Sequence, residues 1–364
     1  MTRLPIFPNT CDMWQELLAE TRPIVIYGMG NGADKLISRL DSIGVEYADI
    51  FASDGFVRGQ IFHGKRVKSY SEIKAEYEDF VVLLSFATRL PEVIELVEKI
   101  GSENKLYIPD MPVSEENVYF DAPFYNDHIE EIRTAFSALE DEESKNVFSS
   151  VIHYKLSGRI TDLLECTSDK EEMYSLFKKE KIHSLIDVGA YSGDTLKEAL
   201  AFFPNLSYAV CIEPDKRTFK RLSKFCETVD KCTLKLVNAA AWHEDSVGEF
   251  AVSGNRNSTV VGSSTLSYQH KTEITPLVRV GGISEGVVDY IKYDVEGSER
   301  EALSGSFDLI SRDRPQLLIS LYHKSRDIFE LINLMKEKYP DYKFYLRRLR
   351  CLPAWELNLI MIPS

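Results

Sequence analysis

The chain has 364 residues, 44% of them hydrophobic and 27% charged, which is long enough for two domains and ordinary for a folded protein with a sizeable core. Its formal net charge of −14 argues against a general binder of nucleic acid or anionic membranes. The one basic cluster, "YLRRLR" at 345–350, reads as a solvated strand edge.

The N-terminus "MTRLPIFPNTCDMW" lacks the long apolar stretch of a signal peptide. No apolar run approaches the roughly 18 residues a membrane span needs. The six cysteines show no CxxC spacing, so reduced thiols in a cytoplasmic protein are expected.

Residues 1–115 read as a small Rossmann-like domain. Ile24–Tyr27 is a short apolar strand, a glycine turn follows, and Leu36, Ile37, Leu40 and Ile43 recur at helical spacing. Next come "VEYADIFA" as a strand, a loop with Gly55, Gly59 and Gly64, the strand "VVLLSF", the helix "RLPEVIELVEKIG" and the strand "KLYIP". Alternating strands and helices imply a parallel sheet. The unit reads first as a docking or scaffolding module, because fold does not fix function; the alternative is that Gly28, Gly30 and Asp54 hold a nucleotide or nucleotide sugar.

Residues 116–181 turn purely helical, with one stripe of Ile129, Ile132, Phe136 and Leu139 continuing into "DEESKNVFSSVIHYKL". This predicts a helical connector whose apolar face packs within the chain or joins a homodimer.

Residues 182–364 form a second α/β unit with seven strand candidates: "HSLIDV", "SYAVCIE", "TLKLVNAAA", "GVVDYIKYDV", "PQLLISLY", "KFYLRRL" and "ELNLIMI". Helical stretches separate the first five, and the last two suit an antiparallel hairpin at the sheet edge. That is the sheet of a class I methyltransferase.

Three motifs carry the chemistry of this unit. In "SLIDVGAYSGDTLKEAL" a strand ends at Asp187 and Gly189 frees the backbone to turn toward a ligand, with Ala190, Tyr191, Ser192, Gly193 and Asp194 completing the loop. In "VCIEPD" Glu213 closes the next strand, ahead of Pro214, where one carboxylate offers two acceptors to ribose hydroxyls; a helix-cap role is the plainer reading. In "KLVNAAAW" Asn238 precedes Ala239, Ala240 and Ala241, which leave room for a flat purine or simply pack the sheet tightly. The loop "GAYSGD" has GxxxG spacing, not GxGxxG, which favours S-adenosylmethionine over a pyrophosphate-bearing dinucleotide.

An alcohol acceptor needs a base near the carboxyl ends of the fourth and fifth strands. Asp294 and Glu296 in "YDVEGSE" and His323 in "LYHKS" stand there. His323 is the expected base. Asp294 is expected to orient the acceptor or the cofactor's ammonium, and Glu296 to bind the acceptor or anchor its turn. Two carboxylates and a histidine also suit a divalent ion, but nothing in the spacing demands one and none is expected. The polar segment "SGNRNSTVVGSSTLSYQHKTE" supplies Asn255, Arg256, Asn257, Ser263, Ser264 and Tyr268 as candidate acceptor contacts on a lid.

With these pieces in place, the sequence resembles the FkbM family of S-adenosylmethionine-dependent methyltransferases. The likeness rests on "IDVGAYSGDT", "CIEPD", "IKYDVEGSEREAL" and "RPQLLISLYHK" followed by a helix and "YKFYLRRL", and covers about residues 183–350. The segment "VRVGGISEG" departs from the family, which often has a leucine–aspartate pair there. The resemblance implies O-methylation, commonly of a sugar or another hydroxyl in polysaccharide or natural-product assembly, with a sugar, nucleotide sugar or glycan as the expected acceptor. Two other functions remain open from the sequence. One is a module that binds S-adenosylmethionine or a nucleotide sugar without turnover. The other is a nucleotide-sugar oxidoreductase or epimerase working through the N-terminal glycine turn.

Overall fold

The computed structural model describes residues 11–113, 118–252 and 271–364. Its N-terminal sheet has four parallel strands in the order Asp49–Phe51, Ile24–Tyr27, Val81–Leu84, Lys105–Tyr107. The central strands are buried throughout, because helices Asn31–Ile43 and Pro91–Glu103 bury Leu36, Leu40, Ile94, Val97 and Ile100 in the same layers. Parallel strands covered on both faces read as unbroken apolar runs. The stretch around Gly55, Gly59 and Gly64 is more ordered than a loop, since Ile61–Phe62 and Lys65–Arg66 pair as a short hairpin.

The C-terminal sheet has seven strands. In spatial order these are Thr233–Val237, Tyr208–Ile212, Ser184–Val188, Tyr290–Tyr293, Gln316–Ser320, Leu357–Pro363 and Tyr342–Arg348. The first five are parallel, and Leu357–Pro363 runs antiparallel to both its neighbours. This is the class I methyltransferase arrangement. The strand order reverses between Ser184–Val188 and Tyr290–Tyr293, and a crevice opens at the carboxyl ends there.

One expectation is refined in this unit. "TLKLVNAAA" is two strands, because the chain leaves the main sheet at Asn238 and Ala240–Trp242 joins a separate three-stranded sheet. Its other members, Ser246–Val252 and Lys271–Arg279, form an antiparallel arm that carries Val247 and Ile274 exposed.

Between the two sheets lie helices Ala122–Asp127, Ile129–Ser137, Glu142–Ser157, Ile160–Leu164 and Lys170–Ser175. Helix Ile129–Ser137 packs on helix Asp327–Lys338, and helix Glu142–Ser157 packs on strand Tyr342–Arg348. Hence the Ile132 and Phe136 stripe is buried within the chain. One core runs from Val25 and Val82 through Phe148 and Val151 to Ile291 and Ile319.

The reading of "YLRRLR" as a solvated edge is overturned. Arg347 and Arg348 are buried, at 2% and 1% exposure. Arg347 pairs with Asp141 at 2.7 Å and Glu172 at 2.8 Å, and Arg348 donates to the Leu163 carbonyl at 2.7 Å. The edge strand is covered by connector helices, and its arginines satisfy their carboxylates and carbonyls. No described helix is long and apolar enough to cross a membrane. All six cysteines are free thiols, five of them buried.

Candidate active site

The turn after Ser184–Val188 is set by Gly189. Its φ of +86° lies in the left-handed region, and a Cβ there would sit 1.8 Å from the Asp294 carbonyl oxygen. Only glycine lets the ends of these two neighbouring strands close together. Gly189 and Ala190 both donate their backbone N–H groups to the Ile212 carbonyl, at 3.0 and 2.9 Å. Glu213, one residue further, then receives Tyr191 N–H on Oε2 and Asp215 N–H on Oε1, each at 2.9 Å. Burial pushes the Glu213 carboxyl up to about 7, against the pull of those two N–H groups.

A cavity of about 470 Å³ opens over these strand ends. Gly189, Tyr191, Asp194, Glu213, Pro214, Ala239 and Ala240 line one part of it, and Asp294 and Glu296 another. The connector contributes Thr167 to Lys170, the C-terminal loop Arg350 and Glu356, and the N-terminal unit Arg89. Arg89 forms an ion pair with Glu356, tying the two units together at the rim. Carboxylates outnumber cationic side chains eight to four among the lining residues, so the cavity favours a positively charged guest.

Behind Asp294 and Glu296 lies a tight ionic cluster. Lys292 Nζ stands 3.2 Å from Asp294 Oδ2, and Tyr322 Oη donates to Asp294 Oδ1 at 3.0 Å. Burial alone would raise the Asp294 carboxyl, but Lys292 and His323 outweigh it and hold it at about 2. His323 Nε2 is 3.5 Å from both Asp294 Oδ1 and Glu296 Oε2, and Nδ1 is 2.8 Å from Glu299 Oε1. Burial would lower the imidazole, yet Glu299 and Glu296 raise it to about 10.

The structure brings most of the expected cofactor residues to this cavity, with exceptions. Asp187 is wholly buried inside the sheet, beside Lys292 on the next strand, and does not line it. Burial lifts its carboxyl to about 7, and neither oxygen has a hydrogen-bond partner among the described residues. Asn238 instead braces the neighbouring turn, donating to the carbonyls of Glu213 and Pro214 at 2.8 and 3.0 Å. Ala190, Ser192 and Gly193 shape the loop without lining the cavity; a Cβ on Gly193 would strike the Phe225 ring at 2.3 Å.

His323 departs from its expected role. Its side chain is fully covered and stands behind Asp294 and Glu296, so direct contact with an acceptor is not what its position offers. The lid candidates Asn255, Arg256, Asn257, Ser263, Ser264 and Tyr268 lie outside the described residues. In the N-terminal unit, Gly30 borders a second cavity of about 230 Å³, whereas Asp54 is exposed and away from it.

Sequence reasoning passed over Glu299, Tyr322, Arg89 and the connector residues. The repeated acid in "EGSE" was the one available signal for Glu299. Its Oε1 accepts from Val295 N–H at 2.9 Å and Gly297 N–H at 3.5 Å, bracketing Glu296.

Comparison with known proteins agrees with this geometry. Residues 187–346 match the methyltransferase FkbM domain model. The structure of Methyltransferase FkbM from Methylobacillus flagellatus KT superposes with a TM-score of 0.69 at 20% identity, covering 95% of this chain and 92% of that one. That likeness extends over the whole fold. An rRNA methylase from Streptococcus thermophilus matches with a TM-score of 0.34 at 10% identity, over 53% of this chain and 93% of its own. Fibrillarin from Aeropyrum pernix, in complex with S-adenosyl-L-methionine, matches with a TM-score of 0.32 at 11% identity, over 51% and 69%. Both are too distant for their substrates or ligands to bear on this chain. No protein of curated function matches it significantly. Residues 187–346 thus carry the likeness to the FkbM methyltransferase domain, set in a chain with a second, smaller Rossmann-like unit and a helical bridge.

Proposed function

We propose that this chain transfers a methyl group from S-adenosylmethionine to a hydroxyl of a sugar or related polyhydroxy acceptor, as a step in polysaccharide assembly. The observation that carries this reading is the acidic cavity over the glycine turn. Its size lies within the usual range for small-molecule sites, and its excess of carboxylates suits a sulfonium and an ammonium while repelling a pyrophosphate. The residues present therefore fit S-adenosylmethionine better than a nicotinamide dinucleotide. Glu213 would receive the ribose hydroxyls on the lone pairs its two backbone partners leave, and Ala239 and Ala240 would face the purine. When bound there, the cofactor supplies a methyl group on a positively charged sulfur.

The chain's own residues then have three tasks. Gly189 and Tyr191 hold the loop that shapes the cofactor end. Asp294, kept ionised, orients the acceptor. Glu296, which lines the cavity, takes the hydroxyl proton as the oxygen becomes nucleophilic. His323 supports both carboxylates from behind as a positioning residue.

The test is incubation of the full chain with S-adenosylmethionine and a panel of free and nucleotide-linked sugars, with mass spectrometry of the products. A methylated sugar together with S-adenosylhomocysteine is the expected result. Tight binding without any product supports a non-catalytic module instead, and binding of NAD in preference to S-adenosylmethionine overturns the reading.

A further inference from the structure

The cluster behind the cavity has a feature that methyl transfer alone does not explain. Asp294, Glu299 and His323 each present a ligand-type atom within 4.8 Å of the others. Glu299 and His323 are 1% and 0% exposed. Yet neither ring nitrogen of His323, nor Oε2 of Glu299, has a hydrogen-bond partner among the described residues. The Glu299 Oε1 contact to Nδ1, at 2.8 Å, is short enough for an ion pair but off the line of the N–H. Buried polar atoms are normally paired. A buried imidazole and a buried carboxylate oxygen left so, beside a third ligand-type residue, indicate a guest that bonds to lone pairs.

We propose that Asp294, Glu299 and His323 form a divalent-cation site on the wall of the cavity. One imidazole with two carboxylates, and no thiolate, suits an ion of the Mn²⁺ type. Asp294 also lines the cavity, so the site is open on the side where the acceptor enters. Resting on the methyl-transfer reading, the ion's role follows. An acceptor hydroxyl takes the open position, its proton becomes more acidic, and Glu296, 3.5 Å from His323 Nε2, is placed to receive it.

The test uses the full chain, treated with chelator, desalted and titrated with MnCl₂. Free Mn²⁺ is followed by electron paramagnetic resonance, and heat by calorimetry. Saturable binding of one ion per chain is expected. Glu299→Gln and Asp294→Asn should each weaken it by about 10–100-fold or more. Asp294→Asn, at the cavity edge, serves if the buried Glu299 variant does not fold. Absence of saturable binding by Mn²⁺, Mg²⁺ or Zn²⁺, or binding that both variants retain unchanged, overturns the proposal. Parallel titration with S-adenosylmethionine separates the two readings. Wild-type protein that binds the cofactor but no cation loses only this site. Protein that binds the cation but not the cofactor keeps the site and loses the methyl-transfer reading.

Discussion

Glu213→Gln tests the cofactor site most directly. Both oxygens of Glu213 already accept one backbone N–H each, at 2.9 Å, leaving a second lone pair on each for a ribose hydroxyl. A hydrogen bond to a charged acceptor contributes about 1.5–3 kcal/mol. The amide keeps the side-chain shape but replaces one acceptor by a donor, so S-adenosylmethionine affinity should fall by about 10–100-fold. The dependence on pH adds a second readout. Burial raises the Glu213 carboxyl to about 7, so the ionised acceptor becomes fully available only above neutrality. Wild-type affinity should therefore rise from pH 6 to pH 8, and the Gln variant should lose that component. Folding stability moves the other way. Between the unfolded value near 4.5 and the folded value near 7 the native state retains a proton that the unfolded chain has released, so this group's contribution declines as pH rises through that window. Calorimetric titration at pH 6, 7 and 8 measures the binding. A variant that binds within twofold of wild type, with the same pH slope, would refute the assignment.

Two stability predictions follow from the packing. Gly189→Ala places a Cβ 1.8 Å from the Asp294 carbonyl oxygen at a φ of +86°. The left-handed backbone costs about 1–2 kcal/mol and the displaced strand end about 1–3 kcal/mol more, so the denaturation midpoint should drop sharply and cofactor binding with it. Arg347→Ala leaves Asp141 and Glu172 without their shared partner, for which a buried pair would cost about 3–5 kcal/mol. Both carboxylates are more than a third exposed or close to it, so about 2 kcal/mol is expected in a urea melt, and Lys should not restore it because it lacks the guanidinium fork.

The scaffold was legible in the sequence because its strands are covered on both faces. "IVIY" and "VVLL" are unbroken apolar runs, and such runs bounded by helical periodicity have few other solutions. The arm Ser246–Val252 with Lys271–Arg279 was not legible. It is a ribbon with exposed Val247 and Ile274, so its alternation lacks a buried face, and Pro276 sits inside one strand. The same distinction separates the site residues. Gly189 and Glu213 reach the cavity through their own turns, so their placement was legible locally. The setting of His323 depends on three carboxylates, Asp294, Glu296 and Glu299, from another segment of the chain, and the burial of Arg347 on helices some 175 and more residues away in sequence. Neither is a property of the segment in which the residue sits.

The backbone conformations around the cavity tie these observations together. Among the described residues five non-glycine ones have left-handed φ, and three of them line it: Tyr191 at +47°, Glu296 at +53° and Glu356 at +64°. Such residues cost on the order of 1–3 kcal/mol each and persist where their surroundings over-determine them. Here the surroundings are specific. Glu213 receives the Tyr191 N–H, Glu299 receives the N–H groups on both sides of Glu296, and Arg89 pairs with Glu356. Each strained residue is flanked by a charged side chain, from another segment for Tyr191 and Glu356 and from the same turn for Glu296, so the cavity wall is fixed before any ligand arrives. Preorganisation of that kind lowers the ordering cost of binding. It also makes Arg89, which belongs to the N-terminal unit, part of the geometry of the methyltransferase cavity, and gives the smaller unit a physical reason to stay docked against the larger one.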